Sequence, residues 1–215
     1  MSVRKIPFVT NEMYHIYNRG IDKRTIFENN SDYNRFLESI LELNTENPLG
    51  GLFHKHVLER KGVINSIVEN KQIDLIAYCL NQNHFHLIVK QISDNGISKF
   101  MHRLGTGYTQ YFNNKNNRTG SLFQGKFKSK HIDTNEYLLY LSAYVNLNDK
   151  IHKVSNNKED TIFSSLEEYT KNINGLCNKN IILNQFKNKE EYVKFLDDSL
   201  SELIRQKEQN ADLEK

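Results

Sequence analysis

An α+β architecture, with helices packed on an antiparallel sheet, is predicted by three features of this sequence. Two short apolar runs joined by a polar tripeptide read as a hairpin in mid-chain. Segments of helical period flank that hairpin on both sides, and an aromatic-rich, strand-like run lies near the start. The 215 residues are 38% hydrophobic and 26% charged, and 12 Phe and 11 Tyr supply apolar area for a core.

The first strand is Tyr14-His15-Ile16-Tyr17-Asn18, ended by Arg19-Gly20. A helix follows, capped by Asn30 or Ser31, with Tyr33, Phe36, Leu37, Ile40 and Leu41 on its apolar stripe. Asn47-Pro48-Leu49-Gly50-Gly51 is turn chemistry, and Leu52 to Lys71 reads as one helix or an irregular excursion. Ile73 to Leu80 and His84 to Gln91 form the hairpin about Asn81-Gln82-Asn83. Period two then puts Phe85, Leu87 and Val89 on one face and His84, His86 and Ile88 on the other. A helix from Ile97 to about Asn113 contains Gly105 and Gly107, which cost up to about 1 kcal/mol each and predict a close approach to its backbone. Ser121 to Ile132 is extended, with Lys126, Lys128 and Lys130 alternating onto one face. A last core helix covers Asn135 to about Asn148, capped by Thr134 or Asn135. The order β, α, excursion, β, β, α, β, α predicts a ferredoxin-like split βαβ core, an antiparallel sheet with helices on one face. The expected organisation is one domain over residues 1–150, with an excursion near 46–72, and a helical C-terminal extension over 151–215 that closes on an amphipathic segment from Glu190 to Gln206.

No run of apolar residues is long enough for a transmembrane helix, Met1 to Asn11 lacks the apolar stretch of a secretory signal, and the two cysteines, Cys79 and Cys177, make no disulfide framework. A cytoplasmic protein without a membrane partner is the expectation. The net charge of +3 hides a segregation of sign. Between Asp94 and Asp133 there is no acidic residue, while Lys99, Arg103, Lys115, Arg118, Lys126, Lys128 and Lys130 all fall there. A one-signed stretch is the footprint of a protein that binds a phosphate backbone; a solvated helix face usually mixes its signs.

His84-Phe85-His86 carries the most specific local chemistry. On a strand, residues i and i+2 point the same way, so two neutral imidazoles converge and can hold one divalent metal while Phe85 anchors the strand. The competing reading is a pair of exposed histidines on an edge strand. On the last core helix Tyr137, Leu141, Tyr144 and Asn148 share a face. A phenol nucleophile needs a nearby cation to lower its pKa and to polarise the phosphate it attacks, and an amide oxygen one turn further on can complete a metal shell. The competing reading is an aromatic face packed on the sheet. Of the other tyrosines, Tyr108 and Tyr111 lie on the apolar stripe of their helix, and Tyr137 and Tyr140 precede Tyr144 on its own helix.

The His-hydrophobic-His strand, the helix after it, Gly120-Ser121-Leu122-Phe123-Gln124-Gly125-Lys126-Phe127-Lys128, Tyr144-Val145-Asn146-Leu147-Asn148 and the opening Tyr14-His15-Ile16-Tyr17-Asn18-Arg19-Gly20 together resemble the REP-associated tyrosine transposases. These are relatives of the single-strand DNA transposases, within the HUH endonuclease superfamily, and the resemblance spans about Met13 to Asn148. It implies that His84 and His86 are a metal-binding pair, that Tyr144 is the single nucleophile and that Asn148 is the third ligand. It implies a metal-dependent transesterase that cleaves and rejoins single-stranded DNA near hairpins through a 5′-phosphotyrosine link, with magnesium or manganese as the hard ion suited to phosphate oxygens. The sequence departs from the family's pattern in reading Asn148-Asp149 where Asn-Pro is usual. Arg103, Lys115, Arg118, Lys126, Lys128 and Lys130 are the candidates for backbone contacts, and Phe123 and Phe127 for base stacking. A non-catalytic single-strand-binding module and an initiator-type nuclease of the same superfamily are the alternatives, and a monomer and a homodimer are both compatible with the sequence.

Overall fold

The computed structural model describes residues 7–46, 70–151, 163–171 and 173–209. The excursion near 46–72 falls mostly outside them. Strand β1 (Met13–Arg19), helix α1 (Asn30–Leu43), strands β2 (Ile73–Asn81) and β3 (His84–Gln91), helix α2 (Gly96–Lys115), strand β4 (Lys128–Ile132) and helix α3 (Asn135–Asn146) follow the predicted order. Strand β5 (Phe163–Ser164) and helices α4 (Leu166–Thr170), α5 (Asn180–Leu183) and α6 (Lys189–Gln209) come from the C-terminal region.

The sheet has the order β4-β1-β3-β2-β5, every neighbouring pair antiparallel. Its first four strands are those of a split βαβ core, so the predicted fold class is what the chain adopts. The two crossover helices, α1 and α2, share one face, over a core of Phe36, Leu87, Phe85, Leu104 and Tyr108. Helix α3 does not join them: with α6 it covers the opposite face, over Ile76, Ala77, Ile88, Leu141 and Leu196. The expected single layer of helices is therefore two. The cause lies in β2, where Leu75-Ile76-Ala77-Tyr78-Cys79-Leu80 is apolar without alternation, as a strand buried on both faces must be. A register irregularity between Leu75 and Ala77 turns both Ile76 and Ala77 to the second face.

The C-terminal region is built into this second layer. Strand β5 pairs with β2, and the buried Asn146 at the end of α3 donates to Tyr192 Oη of α6 (2.9 Å) while accepting from Ser165 Oγ (2.6 Å). Helix α1 is capped one residue earlier than expected, by Asn29 in a reciprocal box with Asp32; Thr134 caps α3 as expected. Ser121 to Phe127 is not strand, since only Lys128–Ile132 pairs with β1, but an isolated bridge joins Phe123 to Gly20. A Cβ at Gly20 would lie 2.4 Å from the Arg24 carbonyl oxygen, so only glycine fits there. No described helix is long and apolar enough to cross a membrane.

Candidate active site

The strand register assembles the site on the face covered by α3. Tyr17 of β1 lies opposite His86 of β3 and also opposite Lys128 of β4; His15 lies opposite Ile88 and Lys130. Alternation sends His15, Tyr17, His84, His86, Lys128 and Lys130 to one side of the sheet, while Tyr14, Ile16, Phe85 and Leu87 go into the α1–α2 core. The rings of His84 and His86 are 5.1 Å apart at 87°, and His86 stacks with His15 at 5.1 Å and with Tyr17 at 5.9 Å. Tyr144 of α3 meets His86 edge to face, with centroids 5.7 Å apart at 89°. Strand and helix thus bring the predicted nucleophile and one predicted metal ligand into contact.

Both histidines are held through Nδ1. His84 Nδ1 lies 2.5 Å from Asn83 Oδ1 and its Nε2 lies 2.9 Å from Asn81 Nδ2; His86 Nδ1 lies 2.9 Å from His15 Nε2. Burial, and next the charge of Lys130, push His15 down to about 4, so its ring is neutral at pH 7. Lys130 sits 4.4 Å over the Tyr137 ring and is held above the ordinary lysine range, first by its hydrogen bond to that tyrosine. Lys128 lies 6.0 Å from the Tyr17 ring centroid.

Asn148 lies beyond the end of α3. A turn at Leu147 interrupts the helix and residues 148–151 are helical again, so Asn148 follows Tyr144 by about one turn across that break. Its side chain is fully buried, and among the described residues neither amide atom has a hydrogen-bond partner. A buried amide without a protein partner is available to a ligand, a cation or a water. Among the described residues no three His, Cys, Asp or Glu side chains form a metal cluster. A divalent ion here would therefore rest on the two imidazoles and the Asn148 amide, leaving positions for phosphate oxygens, and this donor set fits such an ion.

The rival tyrosines are placed elsewhere. Tyr108 is buried and donates to the Ile26 carbonyl (2.7 Å), Tyr111 donates to Asp32 (2.8 Å), and Tyr140 donates to Gln206 of α6 (2.8 Å). Tyr137 stacks at 6.5 Å on Tyr140 beneath Lys130. The candidate DNA contacts separate into four sets. Arg103 donates to the Thr45 and Glu46 carbonyls and Lys115 pairs with Asp32 and Glu28, so both brace the α1–α2 layer. Phe123 is buried against Phe85 at 5.8 Å, a core position rather than the exposed one expected for base stacking. Arg118 and Lys126, with the half-buried Phe127, line a cavity of about 940 Å³ between α2 and the 118–127 loop. Gly105 also lines it and has no atom of the described residues within 4 Å of where a Cβ would stand, so those residues do not make the close approach expected at this glycine. Lys128 and Lys130 alone of the six basic candidates lie on the β4 stretch beside the histidines; Lys126 precedes the strand. Sequence reasoning missed His15, Tyr17, Asn81 and Asn83. The signal for the first two was their i, i+2 spacing on a strand beside the histidine strand; Asn81 and Asn83 were read only as turn.

Fold and site together define an α+β protein with a histidine pair on its sheet facing a helix-borne tyrosine. Residues 51–148 match the family model described as "Transposase IS200 like". The fold is similar to that of a REP-associated tyrosine transposase solved bound to a REP hairpin, with a TM-score of 0.54 and 13% identity, covering 80% of this chain and 86% of that one. A search of curated proteins finds no match. The resemblance read from the sequence is borne out: residues 51–148 are similar to the IS200-like transposases, and the fold is similar to that of a REP-associated tyrosine transposase.

Proposed function

We propose that this protein cleaves and rejoins single-stranded DNA by transesterification, with Tyr144 as the nucleophile. The observation that carries the reading is the edge-to-face contact of Tyr144 with His86, which joins α3 to the histidine strand. In the forward step Tyr144 Oη bonds to phosphorus, the P–O3′ bond breaks, the phenol proton passes to solvent and the released 3′ oxygen takes one up. The product is a 5′-phosphotyrosine with a free 3′-OH, and attack by a 3′-OH reverses the step. A magnesium or manganese ion on His84, His86 and Asn148 would polarise the phosphate and stabilise the phenolate. Lys128 and Lys130 hold the DNA backbone beside the tyrosine. Because β4 is an edge strand, DNA leaving the site turns round that edge to reach Arg118, Lys126 and Phe127 in the cavity on the other side. The REP hairpin bound by the structural relative makes a hairpin-flanked single strand the first substrate to try. The domain that does this is residues 1–150, followed by a C-terminal extension over 151–215 whose described helices pack on the α3 side, in the cytoplasm.

The test is incubation with end-labelled single-stranded oligonucleotides, with and without hairpins, in Mn²⁺, followed by denaturing protein gels. A label that stays with the protein and maps by mass spectrometry to Tyr144 is the expected result. One observation favours a second reading: both nitrogens of His84 are hydrogen-bonded by asparagines, as in a structural histidine. Retained DNA binding with no adduct on any tyrosine would establish that non-catalytic module instead.

A further inference from the structure

The two histidines of the site are anchored by a common device, and neither anchoring residue belongs to the ligand set. Asn83 sits in the turn of the β2–β3 hairpin. Its orientation is fixed because its Nδ2 donates to the Lys23 carbonyl (3.2 Å) and its own carbonyl accepts from Gly20 N (2.8 Å). Its Oδ1 therefore faces His84 Nδ1 and can only accept, so that nitrogen carries the proton. The other side of the ring agrees. Asn81 accepts from Cys79 Sγ through Oδ1 (3.7 Å) and turns its Nδ2–H to His84 Nε2, so Nε2 presents its lone pair. His86 likewise has a partner at Nδ1, supplied by the neighbouring strand. His15 stands opposite Ile88, diagonal to His86, and its Nε2 reaches His86 Nδ1 at 2.9 Å, with both rings buried.

We infer that His15 and Asn83 are positioning residues that hold His86 and His84 in the Nδ1–H tautomer, with Nε2 as the ligating nitrogen of each. The inference rests on the metal site proposed above and adds the residues that pre-set it. Metal-binding histidines ordinarily donate their second ring N–H to an acceptor, which fixes ring orientation and raises ligand basicity. Here two acceptors of different chemistry do that work, an imidazole on β1 for one ligand and a turn amide for the other. Asn81 holds the His84 lone pair with an N–H, a partner that a cation at Nε2 displaces. The hairpin turn and the first strand, far apart in sequence, therefore both act on the site without supplying a ligand.

The experiment measures Mn²⁺ affinity of the full chain by titration calorimetry and by electron paramagnetic resonance of the free ion, without DNA or turnover. His15→Phe and Asn83→Ala each weaken Mn²⁺ binding by roughly 10–100-fold, while His15→Gln and Asn83→Asp, which keep an acceptor oxygen, recover most of it. Thermal melts accompany each variant, and Asn83→Ala, at a half-buried turn, serves if His15→Phe fails to fold. Nitrogen-15 NMR of histidine-labelled wild type near pH 8 reads the tautomers directly: His84 and His86 both show Nδ1–H. Folded Asn83→Ala that binds Mn²⁺ as wild type does would overturn the inference alone, as would Nε2–H tautomers of both rings. Wild-type protein that binds no Mn²⁺ would remove the metal site and the inference with it.

Discussion

The core beneath α1 and α2 and the site facing α3 use the same residue type for opposite ends. On the α1–α2 face, Tyr33 and Tyr108 are closed into the core. Tyr33 stacks at 4.8 Å on Phe27, and Tyr108 is fully buried with its hydroxyl given to a backbone carbonyl and its ionisation pushed far above the ordinary range, first by burial. On the α3 face, Tyr17, Tyr137 and Tyr144 are half-buried and each lies against a lysine or a histidine. A tyrosine becomes useful for chemistry when its oxygen keeps access to substrate and a cation can stand beside it. Burial against carbonyls removes both conditions.

The sharpest way to break this contrast is a pair of phenylalanine substitutions. Tyr144→Phe removes only an oxygen at a half-buried position, so the covalent DNA adduct disappears while stability changes by less than about 1 kcal/mol. Tyr108→Phe does the reverse. It leaves the Ile26 carbonyl unpaired in the core, costs about 1–3 kcal/mol in denaturant melts, and keeps the adduct at wild-type yield at temperatures where the variant is folded. An adduct that survives Tyr144→Phe and maps to Tyr137 would place the nucleophile two turns earlier, beneath Lys130. Next in size, His84→Ala or His86→Ala abolishes cleavage with DNA binding largely intact, because backbone contacts carry affinity and the histidines serve the reaction. Gel-shift and cleavage assays on the same preparations separate the two effects, and wild-type cleavage in either variant would remove the histidines from the reaction.

The contrast was half legible in the sequence. Period two on His84 to Gln91 gave the correct faces because β3 alternates cleanly, and Tyr108 and Tyr111 could be set aside because they lie on a helical apolar stripe. The second helical layer was misread because β2 does not alternate, and a strand apolar on both faces says only that something covers it. The β1 contribution was out of reach for a different reason. That His15 meets His86 depends on a register between strands 71 residues apart in the chain, and no local pattern encodes register. Lys115 and Arg103 show the same limit from the other side. An acid-free stretch marks them as free cations, but their partners, Asp32 and the Thr45 and Glu46 carbonyls, come from α1 and the residues after it.

Asp32 offers a pH test of the α1–α2 layer. Burial alone would raise its pKa, but hydrogen bonds from Lys115, the Glu28 backbone N–H and Tyr111 hold the carboxyl below the ordinary aspartate value. A carboxyl whose folded pKa lies below its unfolded one contributes stability that is fully present above the unfolded value, near pH 4, and fades as pH falls through the folded value. Denaturant melts between pH 7 and pH 2 therefore show a loss of stability below about pH 4, part of which Asp32→Asn removes. At pH 7 that variant is less stable by about 1.5–3 kcal/mol. Identical pH profiles for wild type and Asp32→Asn would mean that the carboxylate contributes nothing as a charge.

The smallest effect discriminates best between the faces as DNA contacts. Lys128 is exposed on β4 beside Tyr17, whereas Lys115 is committed to Asp32 and Glu28 at 2.8 and 3.2 Å. A lysine that neutralises a phosphate releases a counterion, which contributes roughly −0.7 to the slope of log K against log[salt] for a single strand. Lys128→Ala should flatten the measured slope by about that amount, which corresponds to a roughly 2–3-fold smaller loss of affinity between 50 and 200 mM salt. Lys115→Ala should leave the slope unchanged and appear instead as lost stability, since its charge already has partners within the protein and a phosphate would have to displace a buried carboxylate to reach it. Fluorescence anisotropy with a labelled oligonucleotide across a salt series resolves a difference of this size. Equal slopes for Lys128→Ala and wild type would take the DNA off the β4 edge and leave the cavity lined by Arg118 and Lys126 as the place to look for it.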